Sequence, residues 1–244
     1  NLLFPSCIMH CTVLEIANQT GSIRQMTTEN PFDLHASIAE SGARLVLSTP
    51  GVVLIADKPV YVFSGGSPSN VYINAKEIPM HPKERKETVG FLTGKVLTYG
   101  KIDVVAGVPT AGVGWAWGIS DNLGLPYTTA RTEPKDHGTK QQQDAPIPTG
   151  SKVLLVEDVI NSGDSSMKAG NGVRVAGSNV ERILAVINYN LPSTFERAKK
   201  EGYKLDAVTN IPTILRVAKN EELLDKAKLQ KFNEWYEKML ATSS

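Results

Sequence analysis

The stretch Val153-Leu-Leu-Val-Glu157-Asp158-Val-Ile-Asn161-Ser162-Gly163-Asp164-Ser165-Ser166 decides the fold. Its continuous apolar run is the pattern of a parallel strand buried on both faces, and it predicts a strand over 152–156. That strand is expected to end at the two adjacent acids, after which a Ser/Gly turn opens a helix over 165–176. Working outward, β-rich runs at 102–106, 127–130 and 182–188 alternate with a second helical segment at 112–123. Alternation of this kind defines an α/β domain with a mostly parallel sheet flanked by helices.

Upstream, Leu34, Ile38 and Leu45 follow a possible N-cap at Asp33 and predict a helix over 33–47. Short β-rich runs at 51–56, 60–63 and 71–74, separated by turn-rich segments, predict a small antiparallel lobe. Val89, Leu92, Val96 and Tyr99 recur three and four apart and predict an amphipathic helix over 82–99. At the other end, Leu223, Leu224, Ala227, Phe232, Trp235, Tyr236 and Met239 form a stripe over 220–240. A helix there should dock on the body or on a second subunit. The chain thus divides into N-terminal helices with a small lobe (1–80), an α/β core (81–218) and a C-terminal helix (219–244).

The 244 residues are enough for one large domain, and 26 Lys+Arg against 25 Asp+Glu exclude the broadly basic footprint of a nucleic-acid binder. No apolar stretch reaches the roughly 18 to 20 residues a membrane-spanning helix needs. The apolar opening at 1–16 lacks the basic region and small-residue cleavage site of a signal peptide, so it reads as a packed element. Cys7, His10 and Cys11 could offer a metal two thiolates and an imidazole, but nothing elsewhere matches them, which favours a structural role. Two thiols and no signal sequence lead to a cytoplasmic setting.

The chemistry sits in the opening stretch. Tandem carboxylates such as Glu157 and Asp158 can accept hydrogen bonds from a vicinal diol. A Gly/Ser loop opening a helix presents N–H groups, hydroxyls and a positive dipole end to a phosphate. Together they fit a ribose 5-phosphate, placed where open α/β sheets hold ligands. The segment resembles the phosphoribosyl-diphosphate (PRPP) binding motif of type I phosphoribosyltransferases. A second motif, Arg131-Thr-Glu-Pro-Lys135-Asp136-His137-Gly138, resembles the mobile catalytic loop of orotate phosphoribosyltransferases. It opens a polar segment running to Thr149, a length at which loops are often lids. Gly107-Val-Pro109-Thr110-Ala111-Gly112 is similar to the family's diphosphate-contacting loop, and Ser64-Gly-Gly-Ser-Pro68 with Tyr72-Ile73-Asn74 to its base-contacting lobe.

The resemblance covers roughly residues 52–190 and implies transfer of ribose 5-phosphate from PRPP to a ring nitrogen of a heterocyclic base, orotate or a related pyrimidine. It assigns Glu157 and Asp158 to the ribose hydroxyls, Asn161, Ser162, Gly163, Asp164 and Ser165 to the 5-phosphate, and Thr110 and Ala111 to the diphosphate. Arg131, Lys135 and His137 would neutralise the leaving group, in a homodimer whose loop serves the neighbouring subunit. Mg²⁺ would be held mainly by PRPP rather than by protein ligands. Phe63, Tyr72, Ile73, Asn161 and Tyr189 would surround the base.

Several cations of the family pattern are absent. Phe63, Ala111 and Thr132 replace lysines, Asp164 stands where Ser, Thr or Gly is expected, and Tyr189 aligns with the Arg that clamps the orotate carboxylate. Two readings stay open at Tyr189: a neutral or more apolar heterocycle, or a clamp supplied by another cation. A non-catalytic PRPP-binding regulator of the same fold is the alternative to an enzyme.

Overall fold

A computed structural model describes residues 31–62, 68–134 and 142–243. Helix α1 (Pro31–Ser48) contains the predicted Leu34/Ile38/Leu45 stripe, and the Thr49 hydroxyl donates to the Leu45 carbonyl at its end (2.6 Å). The small lobe follows as strands β1 (Val53–Ile55), β2 (Tyr61–Val62), β3 (Pro68–Ser69) and β4 (Val71–Ile73). β1 pairs antiparallel with β4 and β2 with β3, so part of the expected 64–69 turn is itself a strand. A 3-10 helix (Ala75–Met80) leads into helix α2 (Pro82–Val96), which has proline in its first turn. It stops short of Tyr99, whose N–H donates to the Val96 carbonyl in a closing turn.

The core continues as β5 (Val104–Gly107), α3 (Gly112–Leu123), β6 (Tyr127–Thr129), β7 (Lys152–Ile160), α4 (Asp164–Val175) and β8 (Asn179–Asn188). Then come α5 (Pro192–Lys200), β9 (Lys204–Asn210), α6 (Ile211–Asn220) and α7 (Lys226–Thr242). Five parallel strands form the sheet in the order β6-β5-β7-β8-β9. The direction of sheet growth reverses between β5 and β7. At that switch point, connections leave to opposite sides and open a crevice at the carboxyl ends of the strands.

Alternation along each strand feeds two cores. Val105, Leu154, Val156, Leu184 and Val186 join the cluster with α1, α2, α3, α6, α7 and the lobe. Their neighbours Val104, Ala106, Val153, Leu155, Ile183 and Ala185 pack with Met167, Ala169 and Val173 of α4 and Ala198 of α5. Helices therefore cover both faces, which is why these strands read as continuous apolar runs.

Two further differences from the expectation bear on the site. β7 does not end before the acids. Its ladder with β8 continues through Glu157↔Ala185, Val159↔Ile187 and Ile160↔Asn188, because β8 is long enough to keep pairing it. The helix predicted over 220–240 begins only at Lys226. Residues 221–225 form a break, with Glu222 at φ 53°, and α7 restarts where the Asp225 carboxylate accepts the Lys228 N–H (2.8 Å).

Candidate active site

β7 delivers the acid pair to the crevice. Glu157 is buried, with its Oε1 accepting the Asp158 N–H (3.1 Å) and its Oε2 facing the Ser166 hydroxyl (3.4 Å). Asp158 is half-buried, and its Oδ1 accepts the Val159 N–H (2.9 Å). Burial, reinforced by the neighbouring Asp158 carboxylate, pushes the Glu157 carboxyl well above the ordinary carboxylate range.

Beyond β7, residues 161–165 wrap around the start of α4. The Asn161 carbonyl accepts the Thr194 hydroxyl (2.7 Å), and Gly163 takes φ 72°, a left-handed turn that glycine adopts without cost. Ser162, Asp164 and Ser165 face solvent at the start of the helix, where the Asp164 N–H donates to the Ser162 hydroxyl oxygen (3.4 Å) and the first-turn N–H groups point out of the helix end. Asp164 is not an isolated negative charge. It accepts the Ser162 hydroxyl (2.8 Å) and is bonded by the Arg197 guanidinium of α5, which also binds Glu201 (2.9 Å). The Arg197 hydrogen bond, with that from Ser162, holds the Asp164 carboxyl below its usual range.

Across the switch point, β5 ends at Gly107 and residues 108–111 lead into α3, with the Pro109–Thr110 peptide cis. Thr110 is exposed and Ala111 half-buried. A Cβ on Gly112 would lie 2.3 Å from the Val156 carbonyl oxygen and 3.0 Å from Glu157 Cα. Only glycine lets the start of α3 press against the β7 backbone at the acid pair.

Arg131 follows β6 and is held by Asp144, with Nη2 3.0 and 3.1 Å from the two carboxylate oxygens. Gln142 ties the neck of this segment. Its Nε2 donates to the carbonyls of Arg131 (3.0 Å) and Thr132 (2.9 Å), while its own carbonyl accepts the Arg131 N–H (2.8 Å). The segment expected to run loose as far as Thr149 is therefore fastened from Gln142 onward, where Ala145 also bonds Thr128. Lys135 and His137 lie outside the described residues, as do Phe63, Cys7, His10 and Cys11.

On the expected base side, β4 alternation sends Val71 and Ile73 into the core and Tyr72 to the other face, where it stacks on Tyr61 (5.6 Å, 26°). The Ile73 side chain is thus part of the core. Tyr189, at the end of β8, is 4% exposed and meets Trp235 of α7 edge to face (5.6 Å, 75°). Burial, then the nearby Tyr72 and Asp158, push its phenol far above the ordinary tyrosine range, so it remains a neutral hydrogen-bond donor. Sequence reading missed Tyr61, Asp144, Arg197 and Trp235. Arg197 and Trp235 matter through partners distant in the chain, and Tyr61 and Asp144 through pairings across a turn or loop neck that periodicity does not reveal.

A switch-point crevice carrying a carboxylate pair and an anion-ready helix start defines the class of α/β enzymes that handle sugar phosphates. The sequence model of the phosphoribosyl transferase domain matches residues 75–216. Orotate phosphoribosyltransferase of Listeria monocytogenes is 34% identical over 200 residues, covering 82% of this chain and 95% of that protein. The Sinorhizobium medicae enzyme of the same name is 32% identical over 219 residues, covering 88% and 94%. Among solved structures, orotate phosphoribosyltransferase from Aeropyrum pernix superposes with a TM-score of 0.61 at 29% identity, covering 71% of this chain and 96% of that one. The chain belongs to the phosphoribosyltransferase family.

Proposed function

We propose that this protein transfers the 5-phosphoribosyl group of PRPP to a ring nitrogen of orotate, releasing diphosphate. The observation that carries the reading is the convergence of Glu157 and Asp158 with the 161–165 loop at the β5–β7 switch point. The names of the curated relatives support orotate as the acceptor.

In this reaction the nitrogen lone pair forms the C1–N bond as the C1–O bond breaks. The bonding electrons leave with diphosphate, and the nitrogen proton passes to solvent. Positive charge develops on the sugar, so catalysis rests on positioning and charge compensation. Glu157 and Asp158 hold the ribose hydroxyls beneath that charge, and the α4 N–H groups with Ser162 and Ser165 hold the 5-phosphate. Thr110 and Ala111 bring backbone to the diphosphate, and Arg131, with Lys135 and His137, neutralises it.

Mg²⁺ would be held mainly by the oxygens of PRPP and retained waters, with the half-buried Asp158 as the carboxylate of the pair that could reach it. When bound, Mg²⁺ supplies positive charge to the diphosphate oxygens. Residues within 1–80 form the base-side lobe and 81–218 the PRPP core. We place the protein in the cytoplasm as a homodimer, on the family resemblance and the scarcity of cysteine. Among the described residues, no helix is long and apolar enough to cross a membrane.

Tyr189 offers the orotate carboxylate a neutral hydrogen bond in place of a charged bidentate pair. That difference of about 1 kcal/mol predicts a KM for orotate several-fold above that of an arginine-clamped site. Diphosphate release from PRPP and Mg²⁺ over a panel of pyrimidines, purines and pyridines tests the assignment. Turnover with orotate is expected. A neutral base turned over in place of orotate would overturn the acceptor, and PRPP binding without turnover of any base would leave a regulator.

A further inference from the structure

We propose that helix α7 sets the geometry of the base pocket, with Trp235 as the positioning residue for Tyr189; this rests on the phosphoribosyltransferase reading above. The helix touches both walls of the base side. Its buried stripe consists of Phe232, Trp235 and Tyr236. From it, the Trp235 ring braces Tyr189, and the Tyr236 hydroxyl lies 3.5 Å from the carbonyl of Asn190, the residue held at φ 60° just after Tyr189. Toward the small lobe, α7 packs on β1 and on β4, the strand that carries Tyr72. Lys231 Nζ lies 2.5 Å from Asp57 Oδ1 in the turn between β1 and β2.

The backbone of Tyr189 is fixed by its N–H bond to the Ile160 carbonyl (2.8 Å), but its ring orientation is set by packing. Trp235 packs against the ring, while Tyr72 and Asp158 lie within electrostatic reach of the hydroxyl. Removing the indole would leave a space beside the ring and release the Tyr189 side chain from its packed orientation.

Steady-state kinetics with base and PRPP varied separately tests the proposal, beginning with the wild-type chain. If the wild-type protein turns over no base, the functional reading itself fails, and this inference with it. Given wild-type turnover, Trp235→Ala should raise the KM for the base about tenfold or more while leaving the KM for PRPP within about twofold. Trp235→Phe should restore most of the base affinity. Equal rises in both KM values, or a fall in kcat with both unchanged, would overturn the positioning role while leaving the enzyme reading intact. Should Trp235→Ala fail to fold, the surface pair decides. Lys231→Glu should raise the base KM about two- to threefold, and adding Asp57→Lys should reverse it. No change in base KM with the single charge reversal would sink the proposal.

Discussion

Glu157 has its carboxyl group closed off from solvent beside a second carboxylate, and both features favour its neutral form. Its native pKa lies above the unfolded value. The stability it contributes is therefore full below the ordinary carboxylate range and is lost as pH rises toward the raised native value. Function asks for the opposite, since a developing cation is best met by an ionised acid. Glu157→Gln keeps the shape and removes the ionisation. At pH 8 the variant should be more stable than the parent by about 1–3 kcal/mol, or about 2–4 °C in Tm per kcal/mol at this chain length. The gain should vanish below the ordinary carboxylate range, and the rise in turnover that ionising Glu157 gives the parent between pH 7 and 9 should be absent from the variant. Thermal unfolding at pH 4 and pH 8, with turnover followed from pH 7 to 9, checks this. A destabilised variant at pH 8 would refute the account of Glu157 burial.

Helices α4 and α5 meet across the proposed phosphate loop through Asp164 and Arg197. An acid in the first turn of α4 suits the helix dipole but opposes an incoming phosphate, and Arg197 offsets that opposition. PRPP should therefore feel the pair rather than either charge alone. Arg197→Ala should raise the PRPP KM about three- to tenfold, Asp164→Ser should lower it, and the double variant should return close to the parent. Strictly additive effects across this cycle, measured at constant ionic strength, would show that the two side chains act independently. The same pair illustrates what was legible. Glu157, Asp158 and the 161–165 loop are contiguous, so strand pattern and turn chemistry reveal them together. Arg197 lies 33 residues beyond Asp164, and Trp235 lies 46 beyond Tyr189. No local period links such residues. Helix α3 was read to its bounds because Gly124 stops it in a left-handed turn. The break between α6 and α7 contains neither Gly nor Pro and relies on Glu222 at positive φ, so the apolar stripe reads straight through it. The extension of β7 beyond Val156 was hidden for a different reason: it depends on the length of β8, a property of the partner strand.

Across the whole molecule, the near balance of charge conceals a buried polar cluster tying α1, α2 and β9 together. Lys95, itself buried, donates to Asp206 (2.9 Å) and to His35 Nδ1 (3.1 Å), and the Tyr99 hydroxyl donates to the other Asp206 oxygen (2.7 Å). An ammonium has only donors, so His35 Nδ1 must accept and the ring must be neutral, with Nε2 facing Thr98 (3.1 Å). Burial, then Lys95, holds the His35 pKa below its ordinary value. Burial alone would raise the Asp206 pKa, but Lys95 and the hydrogen bonds outweigh it and hold it low. Both depressed values make stability fall as pH falls, first through the ordinary imidazole range for His35 and then below the ordinary aspartate range for Asp206. Glu157 acts in the other direction, so this cluster and Glu157 bound the stable pH window from opposite sides. Asp206 pairs with Leu184 in the β8–β9 ladder, several residues before the carboxyl end that bears Tyr189, which separates the cluster from the chemistry. Lys95→Met should therefore cost about 1–3 kcal/mol by leaving the half-buried Asp206 carboxylate without its cation, though the Tyr99 hydroxyl still donates to it. Adding Asp206→Leu should recover most of that loss. Turnover per folded molecule should stay at the parental level in both variants, and His35→Gln should flatten the stability loss between pH 7 and 5. Thermal unfolding across pH 4 to 8, paired with activity normalised to the folded fraction, distinguishes this structural pin from a catalytic role: a fall in normalised turnover would place the cluster in the reaction.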